Sequence, residues 1–345
     1  MVPSMKQAGE PDETGQQSGF ECQREEMSRK NVLYPFVFFI LLPSLSSTET
    51  MPDSLSNYFP EINDDLTKVT WAHGVNSREK LQRELNGSAM MIEADVVLGT
   101  LIGDRSQQLI PIMAHPPENT SDLSLEMFIV MFLDSQAAKG MKLDFKSREA
   151  FSASENILEE HLINTSYQFE YPIWLNADII RGPVNSKKEP VDPDFFLSAC
   201  VTKFPIAMPS VGWTTEYGNG IDTGSYTPEI ISDMTEALNR NLVVKPVTFA
   251  VRAGLAAQSY DALTNLIGSS VPGTTLTIWC SSPNDVTDMV LLRKLIDDIG
   301  VDKVYLDLPP DMMEALKSSA GNLIGKCALI AATTLLALGK YGLQQ

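Results

Sequence analysis

Positive charge is scarce in this chain of 345 residues, where 26 Lys and Arg stand against 44 Asp and Glu for a formal net charge of −18. That balance excludes nucleic acid as a partner, because such binding rests on phosphate neutralisation by Lys and Arg. Cysteine is also sparse. Cys22, Cys200, Cys280 and Cys327 form neither a CxxC nor a Cys/His zinc pattern, and they are too few for a disulfide scaffold. Histidine occurs only three times, as His73, His115 and His161. There is no Walker loop, HExxH, G-x-S-x-G elbow or glycine-rich dinucleotide fingerprint, which removes support for P-loop, zincin, serine-hydrolase and Rossmann chemistry. No apolar run reaches the roughly 20 residues that a membrane span wants.

What is present begins with export features. Residues 1–50 form a polar segment followed by Arg29, Lys30 and the apolar run NVLYPFVFFILLPSLSS, which ends in small residues. A basic flank, short apolar core and small-residue exit describe a signal peptide, or a signal anchor if uncleaved, and read from Met27 its length is ordinary. Sequons at Asn86, Asn119 and Asn164 fit a secreted glycoprotein. Residues 319–345 are an apolar tail, read either as a closing helix or as a membrane or lipid-anchor segment. The expected location is extracellular, free or held at the membrane by one of these apolar segments.

Between them, residues 57–318 repeat a short β-type run, a polar loop and a helical stretch. Strands are expected at 68–74, 90–97, 142–146, 172–179, 205–213, 247–253, 275–280 and 303–308, with LIPIMAH (109–115) as a hairpin in the loop after the second. Helices are expected between them, including 77–87 and 124–140, the latter stopping at Gly140. Eight strands alternating with helices predict an α/β (β/α)₈ TIM barrel, with an open doubly wound sheet as the rival.

Polar residues interrupt the strands late in their apolar runs. Residues i and i+2 of a strand share a face, so Glu93 pairs with Asp95, Asp144 with Lys146, and Asn176 with Asp178. His73, Trp213, Arg252, Trp279 and Asp307 also fall at strand ends, the catalytic face of such a barrel. Each has a simpler reading: Asp144–Lys146 as a buried ion pair, Asn176 and Asp178 as caps, the tryptophans as packing, Arg252 as a structural partner of Asp307. Several carboxylates aimed into one cavity nevertheless call for a cation. His73 and His115 beside them suit general acid–base work, whereas His161 falls in a helix.

The motifs WAHGVNS (71–77), IEADV (92–96), PIMAHPP (111–117), KLDFK (142–146), PIWLNADI (172–179), SVGWTT (210–215) and VTFAVRA (247–253) resemble the menorin family of animal proteins. The resemblance runs from about residue 57 to 308. Through that family's likeness to glycerophosphodiester phosphodiesterases and spider-venom sphingomyelinase D, it implies a phospholipase C-like phosphodiesterase barrel. On the matching positions it implies Mg²⁺ or Ca²⁺ held by Glu93, Asp95 and Asp144, proton exchange by His73 and His115, and charge stabilisation by Lys146. The His73-x-x-Asn76 step is similar to the sphingomyelinase D pattern, while Gly74 departs from the HRG of the glycerophosphodiesterases. Asn76, Asn176, Asp178, Trp213, Arg252 and Trp279 are then the expected substrate contacts. The implied substrate is a glycerophosphodiester or lysophospholipid. The rival implication is a non-catalytic extracellular cue with protein partners in neuronal or epithelial development.

Overall fold

The computed structural model describes residues 55–163, 171–218, 220–280, 285 and 288–319. The run 31–47, Cys22, Cys327, the sequon at Asn164 and the tail from residue 320 lie outside them. The described residues form ten strands: β1 (Trp71–Ala72), β2 (Met91–Leu101), β3 (Ile110–Met113), β4 (Thr120–Ser121), β5 (Gly140–Phe145), β6 (Ile173–Arg181), β7 (Met208–Thr214), β8 (Thr248–Arg252), β9 (Thr275–Trp279) and β10 (Val304–Asp307). Eight pair in parallel in the order β1-β2-β5-β6-β7-β8-β9-β10, while β3 runs antiparallel to β2 as the expected hairpin and β4 pairs β2 beyond it. Helices alternate with the parallel strands, giving a nearly closed TIM-like barrel.

The barrel's seam is closed by side chains and one backbone bond. No ladder joins β1 to β10 among the described residues. Instead His73 just past β1 reaches Asp307 of β10 at 3.0 Å, the Trp71 and Tyr305 rings lie 6.4 Å apart, and the Leu66 amide donates to the Val301 carbonyl at 2.8 Å. Trp174 stands 5.5 Å from Trp71 and 5.0 Å from Tyr305, so three inward aromatics plug the N-terminal end in edge-on contacts.

Helices start where strands end because capping side chains stand there. Ser77, Ser124 and Ser147 accept from the amides of Lys80, Met127 and Ala150, and Asp192 accepts from Asp194 and Phe195. The Ser147 cap stands two residues past β5 and fixes that strand's exit at the mouth. The outer faces of the strands bury Leu143, Leu175, Val211 and Phe249 against the helices. Phe151, fully buried on the Arg148–Leu158 helix, meets Phe145, Phe196 and Phe204 at centroid distances of 4.8, 4.9 and 6.3 Å.

Several boundaries differ from expectation, and two of the differences have a clear physical reason. Residues Leu66–Lys68 form a 3₁₀ turn capped by Asp65, whose carboxylate accepts from the Thr67 amide, so β1 keeps only Trp71 and Ala72. The helix expected to stop at Gly140 ends at Ser135, with Gln136 taking the left-handed conformation at φ 50°. Gly140 instead opens β5, where a Cβ would meet Met91 Sδ at 2.3 Å. Its role is close strand packing rather than helix termination. No described helix is long and apolar enough to cross a membrane.

Phe151→Ala should cost about 3–5 kcal/mol through lost burial and a residual cavity. Denaturant unfolding monitored by circular dichroism checks this, with an unchanged midpoint as the contrary result.

Candidate metal centre

Strand alternation and register assemble the site. Glu93 and Asp95 of β2 stand beside Lys142 and Asp144 of β5, and Asp144 stands beside Asn176 of β6. All point inward, together with Lys146 just beyond β5. Ligand oxygens of Glu93, Asp95 and Asp144 lie within 4.8 Å of one another.

Each carboxylate is held. Asn76 clamps Asp95 twice: its Nδ2 donates to Oδ2 at 2.7 Å and its Oδ1 accepts from the Asp95 amide at 2.9 Å. The Lys146 ammonium donates to Asp144 Oδ2 and pairs with Asp95 Oδ1 at 2.7 Å. Asn176 donates to Asp144 Oδ1 at 2.7 Å and accepts from the Ser210 hydroxyl at 2.6 Å, tying three strands together. Glu93 Oε2 accepts from the Gly74 amide at 2.6 Å, and Gly74 adopts φ +62°, a conformation that glycine takes readily. Lys80 steadies this turn by donating to the carbonyls of His73 and Gly74 at 2.6 and 3.0 Å. Glu93 Oε1 is buried with no hydrogen-bond partner.

His73 Nδ1 lies 3.0 Å from Asp307 Oδ2 and 3.4 Å from Glu93 Oε2. Two acceptors on one nitrogen place the proton on Nδ1 and leave Nε2 for other chemistry. Electrostatics follow from this crowding. The Glu93 charge, opposed by partial burial and reinforced by Asp307, raises His73 to about 9. Burial raises Glu93 to about 7 despite His73. Burial also pushes Asp144 upward, but Lys146 and then Lys142 outweigh it and hold Asp144 below the usual carboxylate range. Burial would lower Lys146, yet Asp144, Asp95 and Glu93 hold its ammonium charged. Asp178, raised by burial and then by Asp144, sits at about 7.

These residues fit a hard divalent cation. All three ligands offer oxygen, one buried oxygen lacks a partner, and the carboxylates of Glu93, Asp95, Asp144, Asp178 and Asp307 outnumber Lys142, Lys146 and His73. The Glu93–Asp95–Asp144 group can therefore hold a metal ion.

The other expected residues divide. His115, with Nδ1 2.7 Å from the Pro116 carbonyl, lines a cavity of about 430 Å³ together with Asp144, Lys146 and Asp178. Asn76 and Asn176, expected at the substrate, are spent on orienting Asp95 and Asp144. Arg252 pairs not with Asp307 but with Asp285, at 2.6 Å, and its guanidinium lies 5.4 Å from the Trp279 ring centre. Trp213, expected at the substrate, turns away from the mouth. Ser210 and Gly212 occupy the inner positions of β7, so Trp213 faces the helices, packs 5.1 Å from Tyr226 and donates Nε1 to the Ile230 carbonyl. His161 lies 3.8 Å from Glu126 of the Leu125–Ser135 helix.

Sequence reasoning missed Lys142, although it shares the inner face with Asp144 by the i, i+2 rule. It also missed Lys188 and Glu189, which line the cavity from a loop without periodicity.

Comparison with known proteins adds three likenesses. A family model described as the menorin N-terminal domain matches residues 65–313. Human protein FAM151B is 34% identical over 260 residues, which cover 75% of this chain and 88% of the human protein. A solved structure titled a glycerophosphoryl diester phosphodiesterase, from Parabacteroides distasonis ATCC 8503, is similar with a TM-score of 0.41 at 13% identity, covering 77% of this chain and 92% of that one.

The raised groups set a pH dependence for metal-stripped protein. A folded-state value above the unfolded one contributes stability that is complete below the unfolded value and lost as pH rises through the folded one. Glu93 and Asp178, both at about 7, and His73, at about 9, therefore all act in the same direction. The stripped protein should be more stable at pH 6 than at pH 9, and His73→Gln should shrink the part of the loss above pH 6.5. Urea midpoints across this range test it, and equal midpoints for the wild type would contradict it.

Proposed function

The chain belongs to the menorin family, and on that premise we propose that its barrel mouth binds one Mg²⁺ or Ca²⁺ ion and cleaves a phosphodiester there. The observation that carries the reading is the buried, unpartnered Glu93 Oε1 inside a converging set of three carboxylates. Glu93, Asp95 and Asp144 would hold the ion, which when bound would polarise a phosphoryl oxygen. An all-oxygen donor set suits a hard cation. His73, oriented by Asp307 on Nδ1 and held protonated by its acidic neighbours, offers Nε2–H as a proton donor to the leaving group. His115 stands at the cavity wall as the second proton carrier. Lys146 keeps a positive charge beside Asp95 and Asp144 and is suited to developing charge on phosphate oxygens. Small glycerophosphodiesters and lysophospholipids are the substrates this reading favours.

Calorimetric titration of metal-stripped protein with Mg²⁺ and Ca²⁺ tests it. One ion should bind, Asp144→Asn and Glu93→Gln should abolish binding while remaining folded, and Asn76→Ala should weaken it roughly 10–100-fold by releasing Asp95. A folded wild type that binds neither ion refutes the enzymatic reading and favours a role exercised through protein partners.

The same reading has the protein exported, with the barrel outside the cell. Asn86 and Asn119 are exposed, which leaves both sequons open to a glycosyltransferase. Protein secreted from animal cells should shift in mass on peptide-N-glycosidase treatment, less so after Asn86→Gln with Asn119→Gln. Retention in the cytosol without glycans would contradict it.

A further inference from the structure

A groove of about 620 Å³ runs over the outside of the barrel seam, where β1 and β10 share no ladder among the described residues. Its walls include the Leu66–Lys68 turn, the Met289–Ile299 helix and the helix over residues 310–319 that follows β10. On other strands the outward side chains are buried beneath helices, as Leu143, Leu175, Val211 and Phe249 are. The seam is different. Leu308 and Met313 are only half-buried there and Val301 is 39% exposed, while Val69, Leu306 and Leu316 extend the apolar wall. Two of the three cations on the rim are already paired, Lys68 with Asp65 at 3.4 Å and Arg293 with Asp297 at 2.7 Å. What fits such a groove is an apolar segment without charge.

The chain carries one next to this place. Leu316 and Lys317 line the groove, the described residues end just beyond them at Ser319, and residues 320–345 lie outside the described residues. Between Lys326 and Lys340 the sequence CALIAATTLLALG has no charge. That run falls well short of the roughly 20 residues of a membrane span, and its length is that of a buried core helix. Gly321 and Gly325 precede it and permit a tight reversal of the chain. We propose that the run 327–338 folds back into the seam groove of its own barrel and completes the helical layer over β1 and β10, instead of entering a membrane or serving as a lipid-anchor signal. Its leucines then meet Val301, Leu308 and Met313, and apolar surface on both sides leaves water. Because the segment is tethered beside the groove, capture is intramolecular and a modest apolar contact suffices.

The tail's own cysteine reports the contact. Cys327 lies in the proposed segment, while Cys200 and Cys280 are buried. The full chain carrying Cys22→Ser receives Val301→Cys or Thr70→Cys, at two exposed groove positions, or Leu242→Cys, at a residue 74% exposed and absent from the groove wall. A short bis-maleimide is added, and coupled peptides are followed by mass spectrometry. Val301→Cys and Thr70→Cys should couple to Cys327 within one molecule at least about tenfold faster than Leu242→Cys, because docking fixes a local concentration that a free tether spreads over its reach. Hydrogen exchange on the unsubstituted chain should find protected amides across 327–338. Equal coupling at all three positions, or unprotected amides, overturns the inference. So does coupling that occurs only between molecules and rises with concentration, which gives the groove to a second copy. Secreted protein that ends near Ser319 and carries a lipid also overturns it, because the segment then served as an anchor signal.

Discussion

Crowding of negative charge inside the barrel mouth is the constraint around which the rest of the site is arranged. Three carboxylates, Glu93 and Asp95 buried and Asp144 half-buried, converge within 4.8 Å, and two more, Asp178 and Asp307, stand on other inner positions of the barrel. Like charges at such spacing repel strongly in a medium less polar than water. The chain answers with Lys142, Lys146 and a protonated His73, and with amide donors from Asn76, Asn176 and Gly74. Even so, one Glu93 oxygen stays without a partner. A core built for stability alone would have met that oxygen with a donor or replaced the acid with an apolar side chain. The arrangement is better explained by a cation than by packing.

The same charges close the barrel. β1 is only two residues long and forms no ladder with β10 among the described residues. The His73–Asp307 pair spans that gap at the mouth, while Trp71 and Tyr305 span it at the opposite end. His73 thus does two things at once: through Nδ1 it links the first and last strands and it meets Glu93 of the candidate metal group. Coupling of this kind keeps the imidazole oriented by the fold itself, since any movement of the ring must disturb either Asp307 or Glu93.

Much of this was legible in the sequence, and the failures have physical causes. Eight strand positions and the inward pairs Glu93/Asp95 and Asp144/Lys146 follow from a period of two, because a strand with polar residues at every second position has only one sensible inner face. That logic weakens where both faces are apolar. PIAMPSVGW gives no sign that the small residues Ser210 and Gly212 face inward and Trp213 outward, so a place late in the run does not put Trp213 at the mouth. Lys142 obeyed the rule but stood at the start of its run, where a lysine reads as a flank. Long-range partners were invisible: Asp285, which holds Arg252, and Lys188 and Glu189, which line the cavity, come from loops with no repeating pattern. The helix terminus at Gln136 broke the usual preference for glycine, and the glycine that looked like a stop was needed instead where β5 passes Met91.

The mouth's ionisable groups separate into those whose cost has been met within the protein and those whose cost has not. Arg252 looked like a phosphate ligand by residue type, yet Asp285 and the rings of Tyr217 and Trp279 surround its guanidinium. An Arg so enclosed has less to offer a ligand. Glu93 Oε1 and Asp178 stand at the other extreme, acids placed where the fold supplies desolvation without a donor for those oxygens. Residue type alone ranked Arg252 with Asp178. Their partners separate them: Arg252 is enclosed by Asp285 and two rings, whereas Asp178 makes no side-chain hydrogen bond or ion pair with a described residue.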